Sequence, residues 1–580
     1  MNLKITLIIS AYLLLSLSTT SMEVAAKTAK KSFINDIKYT GINFKIDESI
    51  TDFELAEGVF TSRRTVSNQF AYQINTNRFL KKIKRLHNKS YKELRERTEK
   101  FKQPNNPAPQ LENWYRIDIT KEMTHQDILD IYNSLIDISI ISIVELETPP
   151  ISTGFQHCPA LNCEPDLPPG GGSSGNTPDL QSYQTYLGQS PLGIDALYAW
   201  TRTGGNGLGV KIIDMENGFN SNHEDLPNTF VLRADANNSD HGTAVMSIIG
   251  AKRDNKGVTG IAHGAQLGFH GWSPNIAQAI LNSADYLTTG DIILLEAQIN
   301  RNINNGDTCS SQNQSECVPV EWSRSVFDAI LSITNEGIIV IEAAGNGNEN
   351  LDNSIYQNSF NRNTRDSGAF LIAATTPSSS ISRSLFSNHG TRIDFNGWGN
   401  NVTAAGLYGN TLFNGGINQR YGDGFSGTSS ASPIVAGAVA ALQGYSKNSK
   451  NLTLNAHTIK SILTSTGVQE PAGVEVGVRP NLKNAIQLLD NSEDFISAPR
   501  LSSLWEGCYG ANSVFWNIVS SATFYKIYLN GNYLKSTSSS NSFLNVTSNG
   551  TATVKACNAS SCSDYSNNVT LRYSSASECY

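Results

Sequence analysis

Hydrophobic residues in the middle of the chain fall into short apolar runs that alternate with segments of helical periodicity. Three runs, at 210–214, 292–295 and 338–341, have the length and composition of buried strands. Apolar residues over 326–334 and 432–443 recur every three or four positions, which predicts helices. Such alternation is typical of a parallel sheet with helices on both faces.

The segment before this region has a mixed pattern. Residues 114–119 and 141–146 alternate like strands, and the apolar residues of 128–136 have helical spacing. Charged residues over 81–102 predict a solvated helix. We therefore expect an α+β unit over residues 27–150.

Composition changes again near the end of the chain. Ser, Asn and Thr become common, residues 525–529 read as a strand before an Asn-Gly turn, and 551–556 reads as another. We predict a small all-β sandwich over 497–580, loosely similar to fibronectin type III modules. Its role is open between binding a surface or substrate and stabilising the chain without a ligand. The α/β domain then covers 181–490, after a linker over 151–180 that contains Pro-Pro-Gly-Gly-Gly.

The start of the chain predicts export. Lys4 precedes an apolar run over 5–17, and the small residues of 24–26 offer a cleavage site, so residues 1–26 read as a signal peptide; a membrane anchor is the alternative. No other run approaches about 18 apolar residues, so we expect a secreted protein with no membrane contact after signal removal. A net charge of −7, without a basic stripe in the central region, excludes nucleic acid as an expected partner.

The cysteines fit export, because an even number in an exported chain predicts disulfides. Two close pairs, 158–163 and 309–317, are expected to bridge locally, and the last four cysteines pair among themselves in one of three ways. Zinc is not expected, since no Cys-x-x-Cys spacing occurs and the histidines are not grouped with cysteines. The cysteines are Cys158, Cys163, Cys309, Cys317, Cys508, Cys557, Cys562 and Cys579.

Three windows of the α/β region supply an acid, a base and a hydroxyl nucleophile. They are Val-Lys-Ile-Ile-Asp at 210–214, His-Gly-Thr-Ala-Val at 241–245, and Gly-Thr-Ser-Ser-Ala-Ser-Pro at 427–433. Together they resemble the subtilisin-like serine proteases of the peptidase S8 family. The resemblance implies a subtilisin-like sheet and a serine endopeptidase that works through an acyl-enzyme. It assigns Ser429 as nucleophile, His241 as general base and Asp214 as the carboxylate that holds the imidazole.

The chemistry of these residue types agrees with that assignment. A serine hydroxyl needs a base within hydrogen-bond reach, and the base needs an orienting carboxylate. Ser429 precedes an Ala-rich helix, whose N-terminal dipole favours developing negative charge. Taken singly, Ser429 reads as a helix cap and His241 as a structural histidine. His223, in the loop after the first strand, is expected to be structural.

Two further stretches extend the resemblance. Ala-Ala-Gly-Asn-Gly at 343–347 resembles an oxyanion-hole segment, with the Asn346 amide and the Ser429 backbone N–H as donors. Residues 295–298 stand where the family forms one wall of the substrate cleft, and they depart from its usual sequence. We expect Glu296 to favour a basic residue at the cleavage site or to make a structural hydrogen bond. The predicted substrate-binding residues are Glu296, Ala297, Ala344 and Gly345.

The resemblance also implies how the chain is processed. It makes residues 27–150 a propeptide that assists folding and then inhibits the protease as an intramolecular partner, with a maturation cut in or just before the linker. A retained substrate-recognition domain is the alternative. Protein or peptide substrates and a monomeric state are expected. The mechanism requires no cofactor; relatives often bind structural calcium, but we find no motif for it.

Three other functions compete with an active protease. A catalytically silent binding module of the same fold usually shows a lost triad residue. Acid-active serine-carboxyl relatives carry a Glu where this chain has His241 and an Asp where it has Asn346. The third possibility gives the biological role to the C-terminal module, with a protease that only processes its own chain.

Overall fold

We describe a computed structural model of the protein. It describes residues 39–48, 53–56, 59–62, 83–101, 108–153, 176–233, 239–273, 275–301, 309–310, 313–491, 501–505, 511–516, 522–546, 548–557, 562–563, 566 and 569–571. The predicted signal peptide and the Pro-Pro-Gly-Gly-Gly segment lie outside these residues, as do Cys158, Cys163, Cys508 and Cys579.

The N-terminal unit is an antiparallel sheet with two helices. Four strands pair in the order β4-β5-β1-β6, and Phe44 and Ile117 lie in the small core between this sheet and the second helix. Its elements are β1 (Gly41–Ile46), β2 (Phe53–Ala56), β3 (Val59–Ser62), β4 (Lys84–Arg85), α1 (Tyr91–Phe101), β5 (Trp114–Asp118), α2 (His125–Ile136), β6 (Ile141–Glu147) and β7 (Ile151–Ser152).

The charged segment 81–102 is shorter as a helix than its composition predicts. Lys84 and Arg85 pair with β5 as a strand, and the helix begins at Tyr91. Ser90 marks the start, because its hydroxyl accepts from the Glu93 N–H while the Glu93 carboxylate accepts from the Ser90 N–H. This reciprocal capping satisfies two donors at the helix start.

The central domain has the predicted α/β architecture. Its seven-stranded parallel sheet has the order β16-β15-β14-β11-β8-β10-β9. The elements are α3 (Ala196–Ala199), β8 (Lys211–Met215), β9 (Leu232–Arg233), α4 (Asp240–Gly250), β10 (Gln266–His270), α5 (Ile276–Ala284), β11 (Ile292–Leu295), β12 (Ala297–Asn300), β13 (Cys317–Pro319), α6 (Arg324–Asn335), β14 (Ile339–Ala343), β15 (Phe370–Thr375), β16 (Phe395–Trp398), β17 (Val402–Ala405), β18 (Thr411–Asn414), β19 (Arg420–Phe425), α7 (Thr428–Ser449), α8 (Ala456–Thr466) and α9 (Leu482–Asn491).

Two hydrophobic cores cover the two faces of this sheet. Ile212 belongs to the core that contains α4 and α7, whereas its neighbour Ile213 belongs to the core that contains α5 and α6. Successive side chains of a strand point to opposite faces, and in a sheet covered on both sides each face must be apolar. This explains why the strands read as continuous apolar runs.

The N-terminal unit packs against α5 and α6 of the central domain. Trp114 lies in the same core as α5 and α6, and its indole N–H donates to Asp328 at 2.9 Å. Lys45 forms a buried ion pair with the same carboxylate at 2.8 Å. At the start of α6, the Glu145 carboxylate accepts from the Arg324 N–H at 2.8 Å. A buried charge is tolerated when it is paired in this way.

A separate three-stranded antiparallel sheet lies beside the carboxyl ends of the central strands. Its order is β13-β12-β7, so β12 has β13 on one side and the strand from the N-terminal unit on the other. The predicted linker therefore begins with a strand that contacts the catalytic region.

The C-terminal segment forms two antiparallel sheets. Their orders are β20-β21-β24 and β23-β22-β25-β26. Asn530 and Gly531, at φ 49° and 78°, form the two-residue hairpin turn predicted between β22 and β23. The strands are β20 (Leu501–Trp505), β21 (Ala511–Trp516), β22 (Phe524–Leu529), β23 (Asn532–Thr537), β24 (Asn541–Asn545), β25 (Gly550–Cys557) and β26 (Val569–Leu571). The likeness to fibronectin type III modules stays a prediction.

Two disulfides lie within the described residues. Cys309 is bonded to Cys317, as the spacing predicts, and Cys557 is bonded to Cys562. The second bond joins two of the last four cysteines to each other. None of the helices in the described ranges combines the length and the apolar character needed to cross a membrane.

Candidate active site

The structure brings Ser429 and His241 into hydrogen-bond contact. Ser429 is the second residue of α7, directly after the turn at Gly427, whose φ of 111° favours glycine. His241 is the second residue of α4. The Ser429 Oγ lies 2.9 Å from the His241 Nε2, a distance suited to proton transfer from the hydroxyl to the ring.

The carboxylate that contacts the other ring nitrogen belongs to Glu216. Its Oε2 accepts a short hydrogen bond from the His241 Nδ1, and its Oε1 accepts from the Asn217 N–H at 2.7 Å. Glu216 follows β8 by one residue, so it lies at the carboxyl end of a central strand, where open α/β sheets place their ligands. Its side chain is fully buried, which shields the contact from solvent.

We expected the Asp214 carboxylate to contact the His241 ring, and the structure contradicts this contact. Asp214 lies inside β8, between Phe269 of β10 and Leu294 of β11, and is fully buried. Neither of its carboxylate oxygens has a hydrogen-bond partner among the described residues. Strand β8 continues past Asp214. The Asp214 side chain, which is shorter than that of Glu216, therefore remains within the sheet.

Two glycines, Gly218 and Gly242, mark the position of Glu216 in the sequence. A Cβ at Gly242 would lie 2.3 Å from the Gly218 carbonyl oxygen and 2.8 Å from the Glu216 Cγ. The glycine next to His241 is therefore required by close approach of the loop that carries Glu216.

Three buried carboxyl groups lie near one another at this end of the sheet. Burial, and then the charges of Glu216 and Glu296, raise the pKa of Asp214 well above its usual range. Burial is also the main cause that raises the pKa of Glu296. Burial disfavours the charged forms of Asp214 and Glu296, because an unpaired charge in a buried site is costly.

Asn346 is oriented as an amide donor toward the nucleophile. Its Oδ1 accepts from the Thr428 N–H at 2.9 Å and from the Thr428 hydroxyl at 3.0 Å. These contacts fix which way the amide points, so its Nδ2 is directed at the carbonyl oxygen of Thr153. The Ser429 N–H approaches the same oxygen at 3.5 Å. Two donors that converge on one carbonyl oxygen are the arrangement that stabilises an oxyanion.

Thr153 reaches this position on the strand β7. Ile151 and Ser152 pair antiparallel with Gln298 and Ala297 of β12. A peptide that adds a strand to a sheet edge is held by main-chain hydrogen bonds whatever its sequence. Residues 151–153 thus occupy the site as an extended peptide, with the carbonyl of Thr153 next to Ser429.

The four predicted substrate-binding residues divide into two groups. Ala297 pairs with the bound strand, and the Glu296 carboxyl group accepts from the Thr153 hydroxyl at 3.1 Å. Ala344 and Gly345 bond instead with Asn388, whose Nδ2 donates to the Ala344 carbonyl at 2.6 Å. They hold the loop that carries Asn346.

His223 is buried away from the nucleophile. Its Nε2 lies 3.2 Å from the Arg420 carbonyl and its ring stacks edge-on against Tyr421. Burial lowers its pKa, so it remains a neutral packing residue. Within the described ranges, no group of three His, Cys, Asp or Glu side chains is placed to hold a metal ion.

Comparison with known families agrees with this geometry. The family model described as the subtilase family, Peptidase S8, matches residues 175–487, which is more than half of the chain. The chain belongs to the subtilase family. The match begins after β7 and contains every site residue named above except Thr153 and its two preceding residues.

Among curated proteins, this subtilase is similar to several bacterial proteases. It is 27% identical to an extracellular protease of Xanthomonas campestris over 52% of this chain and 55% of that protein. It is 25% identical to thermitase of Thermoactinomyces vulgaris over 51% of this chain and 95% of that protein. The chain thus spans about half the length of the Xanthomonas protease.

A solved structure also matches most of the chain. Fervidolysin from Fervidobacterium pennivorans, described as a keratinolytic enzyme related to subtilisin, shares 15% identity at a TM-score of 0.49. The match covers 90% of this chain and 72% of that one.

Proposed function

We propose that this subtilase is an exported serine endopeptidase, made as a zymogen that cuts its own chain after Thr153. The observation that carries the proposal is the position of the Thr153 carbonyl. Its oxygen faces the Asn346 amide and the Ser429 N–H, while the Ser429 hydroxyl contacts His241. A peptide carbonyl held next to an activated nucleophile is a substrate in position for acyl transfer.

The reaction follows from these contacts. His241 Nε2 takes the proton of Ser429 as its Oγ attacks the carbonyl carbon, and the negative charge gathers on the carbonyl oxygen. Asn346 and the Ser429 N–H stabilise that oxygen. His241 then gives the proton to the leaving amine, and water hydrolyses the resulting acyl-enzyme in the reverse sequence of proton transfers. Glu216 stabilises the imidazolium and keeps a proton on Nδ1.

The contacts of the N-terminal unit support its role as an intramolecular inhibitor. Its packing on α5 and α6 buries the Lys45–Asp328 ion pair, and β7 fills the substrate edge of β12. The same chain therefore blocks the cleft before it is cut and, while bound, after it is cut. Dissociation of residues up to Thr153 would open the site to other proteins.

Export rests on the sequence of residues 1–26, which lie outside the described residues, and on relatives. The Xanthomonas protease is named extracellular, as is a minor extracellular protease of Bacillus subtilis that is 27% identical over 47% of this chain. We propose that this subtilase is likewise secreted and processed outside the cytoplasm.

The test compares the wild-type chain with Ser429→Ala and with Ser430→Ala as a matched control. Ser430 is the adjacent buried serine, and its hydroxyl donates to the Trp398 carbonyl rather than to His241. Mass spectrometry should find a new N-terminus at Gly154 in wild type and in Ser430→Ala, together with cleavage of casein. Ser429→Ala should remain uncut. An intact, folded and inactive wild-type chain would reject the proposal in favour of a binding module.

A further inference from the structure

The side chains of the strand in the cleft meet two buried carboxyl groups. The Thr153 hydroxyl lies 3.1 Å from the Glu296 Oε2, and the Ser152 hydroxyl donates to the Glu216 Oε1 at 2.9 Å. Thr153 is fully buried in this position. The two residues that precede the expected cut therefore each present a hydroxyl group to an acceptor of the enzyme.

Building on the proposed function, we propose that the cleft selects segments with Thr in the position before the cleaved bond (P1) and a hydroxyl residue in the position before that (P2). Glu296 is the specificity-determining residue for P1. It recognises a hydroxyl group rather than the charge of a basic side chain.

The bonding around Glu296 accommodates a neutral carboxyl group. The Ser432 hydroxyl contacts both the Glu296 Oε1 and the Thr428 carbonyl, the latter at 2.7 Å. Ser432 has one proton to donate, and a carbonyl can only accept. Every group is satisfied if Ser432 donates to Thr428 while a protonated Glu296 donates to Ser432. The raised pKa of Glu296, which burial causes, agrees with this arrangement.

The space between the P1 side chain and Glu296 is too short for a basic residue that points toward Glu296. The Thr153 Oγ1 is one bond beyond its Cβ, and the Glu296 oxygen is already in contact with it. A lysine or arginine side chain, several bonds longer, would have to displace the Glu296 carboxyl group from its bonds with Ser432. The expected preference for a basic residue is thus replaced by one for a short polar side chain.

A hydroxyl group fits where an isosteric methyl group does not. The Thr153 Oγ1 can donate to the Glu296 Oε2, and it also lies 2.8 Å from the Ser429 Oγ. A valine at P1 would leave the Glu296 Oε2 without that donor in a fully buried site. An unmade buried hydrogen bond typically lowers binding by about 10- to 100-fold.

The first experiment varies the substrate and needs no altered enzyme. The parent probe is the peptide Pro-Pro-Ile-Ser-Thr-Gly-Phe-Gln, which is residues 149–156. Three variants replace its Thr with Val, Ser or Lys, and a fourth replaces its Ser with Ala. We expect kcat/KM to fall about 10- to 100-fold for Thr→Val, and less for Thr→Ser. Equal cleavage of the Val peptide, or faster cleavage of the Lys peptide, overturns the inference.

The second experiment varies Glu296. Glu296→Gln keeps the acceptor for Thr and supplies an N–H for Ser432, so the ratio of kcat/KM between the Thr and Val peptides should stay as in wild type. Glu296→Ala removes the acceptor and still leaves Ser432 bonded to Thr428, so this ratio should approach one while the Val peptide remains a substrate. An unchanged ratio in Glu296→Ala rejects Glu296 as the determinant.

The full chain provides an independent readout. Thr153→Val should slow self-cleavage more than Thr153→Ser does, and mass spectrometry locates the cut. Failure of wild type to cut any peptide or itself would reject the proposed function together with this inference. Cleavage of all peptides at similar rates would reject only the inference.

Discussion

Glu216 contacts the imidazole of His241, whereas Asp214, two residues earlier in the chain, has no hydrogen-bond partner among the described residues. The two carboxyl groups are close enough for the charge of Glu216 to contribute to the raised pKa of Asp214. The carboxylate that contacts His241 is therefore a glutamate at the end of the strand, and a second buried acid with a raised pKa lies next to it in the sheet.

Because Glu216 rather than Asp214 contacts His241, amide substitutions at these two positions should change kcat to very different extents. Glu216→Gln places an amide at the His241 Nδ1 that can donate, which favours the tautomer whose Nε2 cannot accept the serine proton. We expect kcat to fall by about 10⁴-fold, as when the triad carboxylate is lost in a serine protease. Asp214→Asn should keep kcat close to wild type. Steady-state kinetics on one peptide decides, and a large loss in Asp214→Asn alone would restore Asp214 as the triad acid.

Asp214 also predicts a pH dependence of stability. Because its pKa is raised in the folded protein, the folded state keeps a proton that the unfolded state releases above the ordinary value of 3.8. The free energy of unfolding therefore decreases as pH rises from that value to the raised one. Asp214→Asn removes this loss, so the variant should gain stability relative to its parent across that interval and not below it. Urea unfolding in the Ser429→Ala background, which prevents self-digestion, measures the difference; parallel pH curves would contradict it.

Sequence patterns were sufficient to predict the central sheet and the proximity of His241 to Ser429. The apolar run of β11 and the windows around His241 and Ser429 can be recognised from neighbouring residues alone. The choice between Asp214 and Glu216 depends on where β8 ends, and strand ends are poorly marked in sequence. The last strand position is Met215, and the carboxylate that contacts His241 belongs to the very next residue, Glu216.

The substrate side of the site could not be read from the sequence. That Thr153 meets Glu296, 143 residues later in the chain, depends on β7 adding to β12. Residues 151–153 follow two prolines and precede a glycine-rich segment, and three residues are too few for a periodic signal. Only the pairing register reveals which residue faces the nucleophile.

The role proposed for Asn346 as an oxyanion donor predicts a loss in turnover without a matching loss in substrate binding. Asn346→Ala removes the amide that points at the Thr153 carbonyl, and we expect kcat to fall on the order of 100- to 1,000-fold with KM little changed. Asn350→Ala, an exposed asparagine in the same loop, serves as the control. Thermal unfolding of both variants checks that the loop is retained. A proportional rise in KM would instead assign Asn346 to ground-state binding.

The contact between Glu145 and the start of α6 predicts the rate of activation. The Glu145 carboxylate accepts from the N–H groups of Arg324 and Ser325 at 2.8 and 3.3 Å, where the helix dipole favours a negative charge. Glu145→Gln removes this charge, so the N-terminal unit should hold the cleft less tightly after the cut, by on the order of tenfold. Activity on a peptide should then appear sooner than in wild type or in Asp130→Asn, an exposed acidic residue of α2. Activation curves that coincide, at equal rates of self-cleavage, would show that Glu145 does not control release.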